Sequence, residues 1–180
     1  MKKTETSLPG VLLLEPRVFG DGRGFLLESY NERVFTELGI HEKFVQDNHS
    51  YSGRNVLRGL GYQIQQPQGK LVRVITGEIV DIAVDLRQSS ATFGKWESFR
   101  LSGDNKRILW LPVGFAHGFL VASETAHVTY KTTDFYSPEH ERTVAWNDPA
   151  LHIDWQIDGE PIVSAKDQRG QKFSECGKFR

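Results

Sequence analysis

The chain has 180 residues, a charged fraction of 25% and a formal net charge of −1 at pH 7. This balance is ordinary for a globular protein and argues against a strongly basic nucleic-acid binder. The length suits a single domain, residues 1–180, which can bury about 70% of the surface of its unfolded chain. The one cysteine, Cys176, has no partner for a disulfide, so stability must come from an apolar core.

The N-terminal region contains one short apolar run, Val11–Leu14, after a polar start. A run of this length is too short for the core of a signal peptide or for a membrane span. The sequence therefore predicts a cytoplasmic protein that is not associated with a membrane.

Short runs with strand propensity follow one another along the chain, and turn residues separate them. The predicted strands are Val11–Phe19, Gly24–Tyr30, Phe44–Ser52, Lys70–Thr76, Ile79–Arg87, Phe93–Leu101, Lys106–Leu111, Gly118–Ala122 and Ala126–Phe135. The stretch Asn55–Lys70 is expected to begin with a further strand and to turn around Pro67 and Gly69. Lys70–Thr76 and Ile79–Arg87 are expected to form a hairpin through the turn at Gly77. This spacing of strands and turns favours an all-β sandwich or barrel.

Helical signals are confined to one short segment, Asn31–Leu38. Asn31 is a favourable N-cap, Phe35 and Leu38 lie on one helical face, and Gly39 suits a C-cap. Beyond Ser137 the pattern becomes irregular, but two tryptophans, Trp146 and Trp155, predict that this tail packs back onto the body.

Two groups of polar residues suggest recognition of a phosphate and of a sugar or nucleobase. Arg23 and Arg58 both lie beside glycines and are suited to clamping a phosphate, although solvated surface arginines would look the same. Gln46, Asp47 and Asn48 form a row of hydrogen-bonding side chains that suits a nucleobase or sugar, or an exposed edge strand.

Two residues, His117 and Tyr130, could take part in chemistry, whereas a third, Asp167, gives no such signal by itself. His117 follows a turn and could polarise a carbonyl, or it could be a buried structural histidine. Tyr130 shares a strand face with Val128 and Thr132, where it could donate a proton or simply fill the core. Asp167 lies in the irregular tail, where a lone carboxylate is usually exposed.

Seven segments in order give the chain a resemblance to the dTDP-4-dehydrorhamnose 3,5-epimerase family, which has the cupin jelly-roll fold. They are Phe19–Phe25, Gln46–Ser50, Val56–Leu60, Gln68–Val72, Pro112–Phe119, Tyr130–Thr133 and Trp146–Pro149. The resemblance implies a cupin β-sandwich or barrel with short peripheral helices. It also implies a dTDP-4-keto-6-deoxysugar substrate, a homodimer with exchanged strands, and no metal or other cofactor.

The resemblance further implies epimerisation at C3 and C5 through an enolate, which would give dTDP-4-dehydro-L-rhamnose. Lys70 and His117 would stabilise the enolate oxygen, Tyr130 would return the proton, and Asp167 would orient the base. The implied substrate-binding residues are Gln46, Asp47 and Asn48 for the nucleotide, Arg58 for the diphosphate, Tyr136 near the thymine, Glu141 and Lys166 in the sugar site, and Arg23, Phe25 and Glu28 from the partner subunit.

The chain departs from the family at the base itself. The family motif reads Arg-Gly-Leu-His-Tyr/Phe, whereas this chain reads Arg58-Gly59-Leu60-Gly61-Tyr62. A positioned general base is worth about 10²–10⁴-fold in rate, so a large loss of activity is expected. Three explanations stay open: an engineered variant, a natural member with altered or lost activity, or a substitute base such as His49 or a water held by Asp167.

Other functions remain compatible with the same sequence. They are a non-catalytic dTDP-sugar-binding homologue, an epimerase acting at C3 alone, a ketoisomerase of the same fold and, least favoured, a metal-dependent cupin oxygenase.

In a regular strand, positions 58 and 61 would lie on opposite faces, because they are three apart. For both to serve one pocket the strand must contain a bulge, which we predict at Gly59.

Overall fold

The structure, a computed structural model, describes residues 1–180 and consists mainly of β-strands. The strands are β1 Lys2–Glu5, β2 Leu12–Glu15, β3 Val18–Asp21, β4 Gly24–Leu27, β5 Gln46–Gly53, β6 Val56–Gln63, β7 Lys70–Thr76, β8 Glu78–Asp85, β9 Trp96–Ser102, β10 Ile108–Leu111, β11 Phe115–Val121, β12 Thr125–Thr132, β13 Glu141–Thr143 and β14 Ile162–Val163. One helix, α1 Glu32–Glu37, and a 3₁₀ turn, Asp167–Arg169, complete the fold. The all-β prediction is confirmed.

Two antiparallel sheets form the body, as expected for a jelly roll. Sheet I has the order β1-β2-β10-β7-β12-β5, and sheet II has the order β13-β6-β11-β8-β9. The short strand β14 adds to β6 in parallel, and β3 and β4 form a separate two-stranded hairpin. Each sheet has one face toward the other sheet and an outer face that other elements cover in part.

Three apolar clusters hold these layers together. The space between the sheets is filled by residues such as Val72, Phe119 and Val128. The outer face of sheet I packs against α1 through Phe35, and the outer face of sheet II packs against the C-terminal tail. Trp155 in that tail is buried, and its indole N–H donates to the Trp146 carbonyl at 2.8 Å, which confirms the predicted packing of the tail.

The helix α1 is capped as the sequence predicts. The Asn31 side chain accepts hydrogen bonds from the backbone N–H groups of Arg33 and Val34 at 3.1 and 3.4 Å. Gly39 follows the helix with a φ of +92°, a conformation that suits glycine. None of the helices has the length and the apolar character that a membrane-spanning segment requires.

The predicted hairpin between β7 and β8 is wrong. Strand β7 pairs with β10 and β12 in sheet I, whereas β8 pairs with β9 and β11 in sheet II. The turn at Gly77 therefore carries the chain from one sheet to the other. A glycine turn between two apolar strands is compatible with both arrangements, and tertiary packing, which buries β8 almost throughout, decides between them.

The predicted bulge in β6 is confirmed at Gly59. His117 pairs with Gly61, but Phe119 pairs with Arg58, so β6 has one residue more than β11 over this interval. Gly59 has a φ of +103°, and a β-carbon there would lie 2.5 Å from the His117 carbonyl oxygen. The bulge places Arg58 and Gly61 together on the cavity-facing side of the strand.

Candidate active site

A cleft between the two sheets gathers most of the predicted site residues. It consists of two adjoining cavities of about 350 and 290 Å³, which we call the outer and the inner cavity. Residues that line both cavities are Gly61, Lys70, Tyr130, Glu141 and Lys166. Strands of both sheets and the C-terminal tail thus supply one continuous site.

The four predicted catalytic residues all line the inner cavity. Lys70, His117, Tyr130 and Asp167 come from β7, β11, β12 and the 3₁₀ turn, and the structure brings them together around Gly61. Lys70 Nζ donates to the Gly61 carbonyl oxygen at 3.4 Å, which places the ammonium group beside position 61. These are the four residues to which the resemblance assigns catalytic roles, and the roles themselves stay predictions.

Lys70 is electrostatically adapted to bind a developing anion. Burial lowers the pKa of Lys70 to about 8, although the charges of Asp81 and Glu141 oppose this shift. A buried ammonium with few competing water contacts interacts strongly with an oxyanion that forms beside it. The lysine can therefore stabilise an enolate oxygen, as predicted for it.

His117 is held by a carboxylate that the sequence analysis missed. Its Nε2 atom lies 2.9 Å from Oδ2 of Asp81, which is fully buried in β8. Burial raises the pKa of Asp81, while the neighbouring His117 and Lys70 oppose that effect. The contact fixes the orientation of the imidazole. The available signal was a single aspartate, Asp81, within the otherwise apolar run Ile79–Val84.

Tyr130 is suited to donating a proton. Its side chain faces the space between the sheets, and burial raises its pKa, although the positive charge of Arg58 opposes this. The phenol therefore remains protonated at neutral pH and can act as a general acid.

The outer cavity presents hydrogen-bonding groups on neighbouring strands. Gln46 Nε2 donates to Asn48 Oδ1 at 3.0 Å, and Gln46 Oε1 accepts from the Tyr136 backbone N–H at the same distance. Glu141 accepts from Lys166 Nζ at 2.7 Å and from the Tyr136 hydroxyl at 2.8 Å. Burial opposes ionisation of Glu141, but these two hydrogen bonds together with the positive charges of Lys166 and Lys70 outweigh it and lower the pKa of Glu141.

Arg58 has an uncompensated charge in the inner cavity. Its Nε donates to the Ser52 hydroxyl at 3.0 Å, and it forms no salt bridge with any carboxylate of the chain. The guanidinium is therefore available for an external anion such as a phosphate. Ser50, also missed, lies two residues from Asn48 on the same strand face, and its buried hydroxyl has no partner.

The structure does not support the nucleotide-binding role predicted for Asp47. Its side chain lies on the outer face of sheet I, where it accepts from Lys131 Nζ at 2.9 Å. Alternation along β5 explains this, because Gln46 and Asn48 face the cleft and the residue between them must face away. His49 shares that outer face, with its Nε2 3.0 Å from His127 Nδ1, so it is excluded as a substitute base in this site.

Three predicted binding residues lie outside the cleft of their own chain. Arg23 and Phe25 are on the β3–β4 hairpin, and Glu28 follows it, accepting from Asn31 Nδ2 at 3.1 Å. The Arg23 side chain is 91% exposed and contacts Asp21 at 2.6 Å. Large apolar side chains of this hairpin are also exposed, including Leu26 at 73%.

Gly61 adjoins open space, in contrast to Gly59. A β-carbon at position 61 would meet no heavy atom within 4 Å apart from its chain neighbours, and the backbone φ is not in the left-handed region. Asp167, which is only 7% exposed, lines the same cavity. Its carboxylate accepts a hydrogen bond from the Gly59 backbone N–H at 3.3 Å. The fold therefore has room for a side chain at position 61 and does not require glycine there.

Comparison with known proteins decides the family. The family model described as dTDP-4-dehydrorhamnose 3,5-epimerase matches residues 5–175. The chain belongs to this epimerase family. A dTDP-4-dehydrorhamnose 3,5-epimerase of Pseudomonas aeruginosa is 58% identical over 180 residues, which is 99% of each chain.

Solved structures of related epimerases agree in fold. The dTDP-6-deoxy-D-glucose-3,5-epimerase of Legionella pneumophila, in complex with dTDP-4-keto-L-rhamnose, has a TM-score of 0.96 and 46% identity, covering 98% of this chain and 94% of its own. A 3'-monoepimerase of Streptomyces bikiniensis, in complex with dTDP-quinovose, has a TM-score of 0.88 and 30% identity, covering 94% and 86%. The cupin fold and the isomerase class of this epimerase family are thereby established for the chain.

Proposed function

We propose that the chain is a dTDP-4-dehydro-6-deoxyglucose 3,5-epimerase of dTDP-L-rhamnose biosynthesis whose catalytic rate is limited by the absence of a base side chain at position 61. The observation that carries this proposal is the convergence of Lys70, His117, Tyr130 and Asp167 around Gly61 in one cavity. The names of the Pseudomonas and Legionella relatives support the substrate.

The geometry supports an enolate mechanism. The C4 ketone of the substrate acidifies the hydrogens at C3 and C5, and a base beside Asp167 would remove each of them. The Lys70 ammonium and His117 stabilise the resulting enolate oxygen. Tyr130 then donates its proton to the opposite face of the carbon, which inverts the centre.

Substrate binding does not depend on position 61. Arg58 binds the diphosphate with its unpaired guanidinium. Gln46 and Asn48 hold the nucleotide, and Tyr136 lies near the thymine at the edge of the outer cavity. Binding of dTDP-sugars without turnover is therefore the second candidate function. It is favoured because the binding residues lie together in the cleft while position 61, where the base is expected, is a glycine.

The β3–β4 hairpin supports a homodimer in which the hairpin is exchanged. It packs little against its own chain, and it exposes Phe25 and Leu26, a pattern typical of a protein interface. In the proposed dimer Arg23, Phe25 and Glu28 complete the cleft of the other subunit.

Packing of the tail onto sheet II supports the prediction of one domain over residues 1–180, and the cytoplasmic location stays a prediction.

Restoring a base tests the proposal. We expect Gly61→His to epimerise dTDP-4-dehydro-6-deoxyglucose about 10²-fold faster than the unmodified chain or more, because that is the usual worth of a positioned base. Gly61→Leu is the matched control, since it fills the same space without a proton acceptor. A Gly61→His protein that folds, binds dTDP and turns over no faster than Gly61→Leu would contradict the proposal.

A further inference from the structure

The space beside Gly61 adjoins groups that can hold a planar nitrogen base. It is part of the inner cavity of about 290 Å³, between Asp167 and Tyr130. No heavy atom lies within 4 Å of the point to which a β-carbon would project from Gly61, except in its neighbours along the chain. A small ring can therefore enter without displacing the backbone.

Asp167 has the capacity to hold such a ring. Its Oδ2 accepts one hydrogen bond, from the Gly59 backbone N–H at 3.3 Å, whereas an ionised carboxylate can accept about four. The adjacent cation, Lys166, is directed to Glu141 at 2.7 Å and does not pair with Asp167. The carboxylate is thus free to accept an N–H from a ligand in the cavity.

We propose that this space is a binding site for a small heteroaromatic base of the imidazole class, which replaces the missing side chain and restores epimerisation. The inference rests on the proposed function, because its readout is turnover of the same substrate. In the bound ring, one nitrogen donates its proton to Asp167, and the lone pair of the other is directed toward the substrate.

The chemical step balances without any further reactant. The free nitrogen of the ring takes the proton from C3 or C5, which yields an imidazolium ion and an enolate whose oxygen faces Lys70. The Tyr130 hydroxyl then gives its proton to the opposite face of the same carbon and becomes a phenolate. Exchange with water returns a proton to Tyr130 and removes one from the imidazolium.

The test measures the rate of epimerisation by the unmodified chain as imidazole is added. We expect a saturable increase of about 10-fold or more, below the full effect of a tethered base because the free ring must first be bound and ordered. In Gly61→Leu the leucine occupies the space, so imidazole should not accelerate the reaction. In Asp167→Asn the increase should be lost or strongly reduced.

Three results would overturn the site. In the first, Gly61→His is active but imidazole does not accelerate epimerisation by the unmodified chain. This result would leave the proposed function intact. The second is equal acceleration of the unmodified chain and Gly61→Leu, which would show catalysis by imidazole in bulk solution. An inactive Gly61→His protein would instead contradict the proposed function. Saturation-transfer NMR of imidazole with the dTDP-bound proteins reports binding independently of turnover, and equal signals with both proteins would also contradict the site.

Discussion

Alanine substitutions at the two glycines of β6 should differ sharply in their effect on stability. At Gly59 the φ of +103° costs a non-glycine residue about 1–3 kcal/mol. The β-carbon would also lie 2.5 Å from the His117 carbonyl oxygen and 2.7 Å from the Gly118 α-carbon, and such overpacking costs about 1–3 kcal/mol more. We therefore expect Gly59→Ala to lower the free energy of unfolding by about 2–6 kcal/mol.

At Gly61 neither cost arises. The backbone there is in an ordinary strand conformation, and the added methyl group meets open space. Alanine is preferred to glycine inside a strand by about 0.5–1 kcal/mol, because it has less freedom to lose on folding. Gly61→Ala should therefore leave stability unchanged or raise it slightly.

Thermal denaturation of the two variants at one protein concentration measures the difference. For a chain of this size 1 kcal/mol corresponds to about 2–4 °C, so Gly59→Ala should lower Tm by about 4–24 °C. Gly61→Ala should change it by no more than about 4 °C in the stabilising direction. Similar Tm values for both variants, or a larger loss for Gly61→Ala, would refute the assignment of Gly59 as structural and position 61 as free.

Three further predictions concern charge and assembly. The kcat/KM of Gly61→His should fall as the pH rises through about 8, because Lys70, whose pKa is lowered to about 8, loses its proton there. Adding Lys70→Arg, which stays charged, should remove that fall. A flat pH profile for Gly61→His alone would contradict the role of Lys70 in stabilising the enolate. Arg58→Ala should weaken dTDP binding by about 10-fold or more in calorimetric titration, since a charge-assisted hydrogen bond is worth about 1.5–3 kcal/mol, and unchanged affinity would exclude Arg58 from the diphosphate site. The unmodified chain should sediment as the proposed dimer and Leu26→Asp as a monomer in sedimentation velocity. A monomeric unmodified chain would contradict the proposed exchange.

Local patterns predicted much of the fold. β7 has the predicted bounds, Asn31 caps α1, and the glycine at position 59 marks the bulge. Each of these features depends on residues that are close in sequence, so their chemistry is visible there. The partners of β7 and β8 were predicted wrongly, because the turn at Gly77 does not encode which sheet the next strand enters.

The candidate site was predicted least well where strand faces matter. Asp47 was grouped with its neighbours as a nucleotide ligand, although alternation along β5 directs it away from them. Asp81 was missed because a regular alternation of acids and apolar residues usually indicates a solvent face. Here both faces of β8 are buried, and the carboxylate instead orients His117, a pairing that requires knowledge of the neighbouring strand.

Proton exchange at the two carbons is the most direct test of the central claim. Gly61→His should be incubated with dTDP-4-dehydro-6-deoxyglucose in deuterated water, and the product examined by NMR. We expect deuterium at both C3 and C5, with much slower incorporation by the unmodified chain under the same conditions. Exchange at C3 alone would contradict 3,5-epimerisation, and no exchange by a folded protein that binds dTDP would contradict the assignment of position 61 as the site of the base.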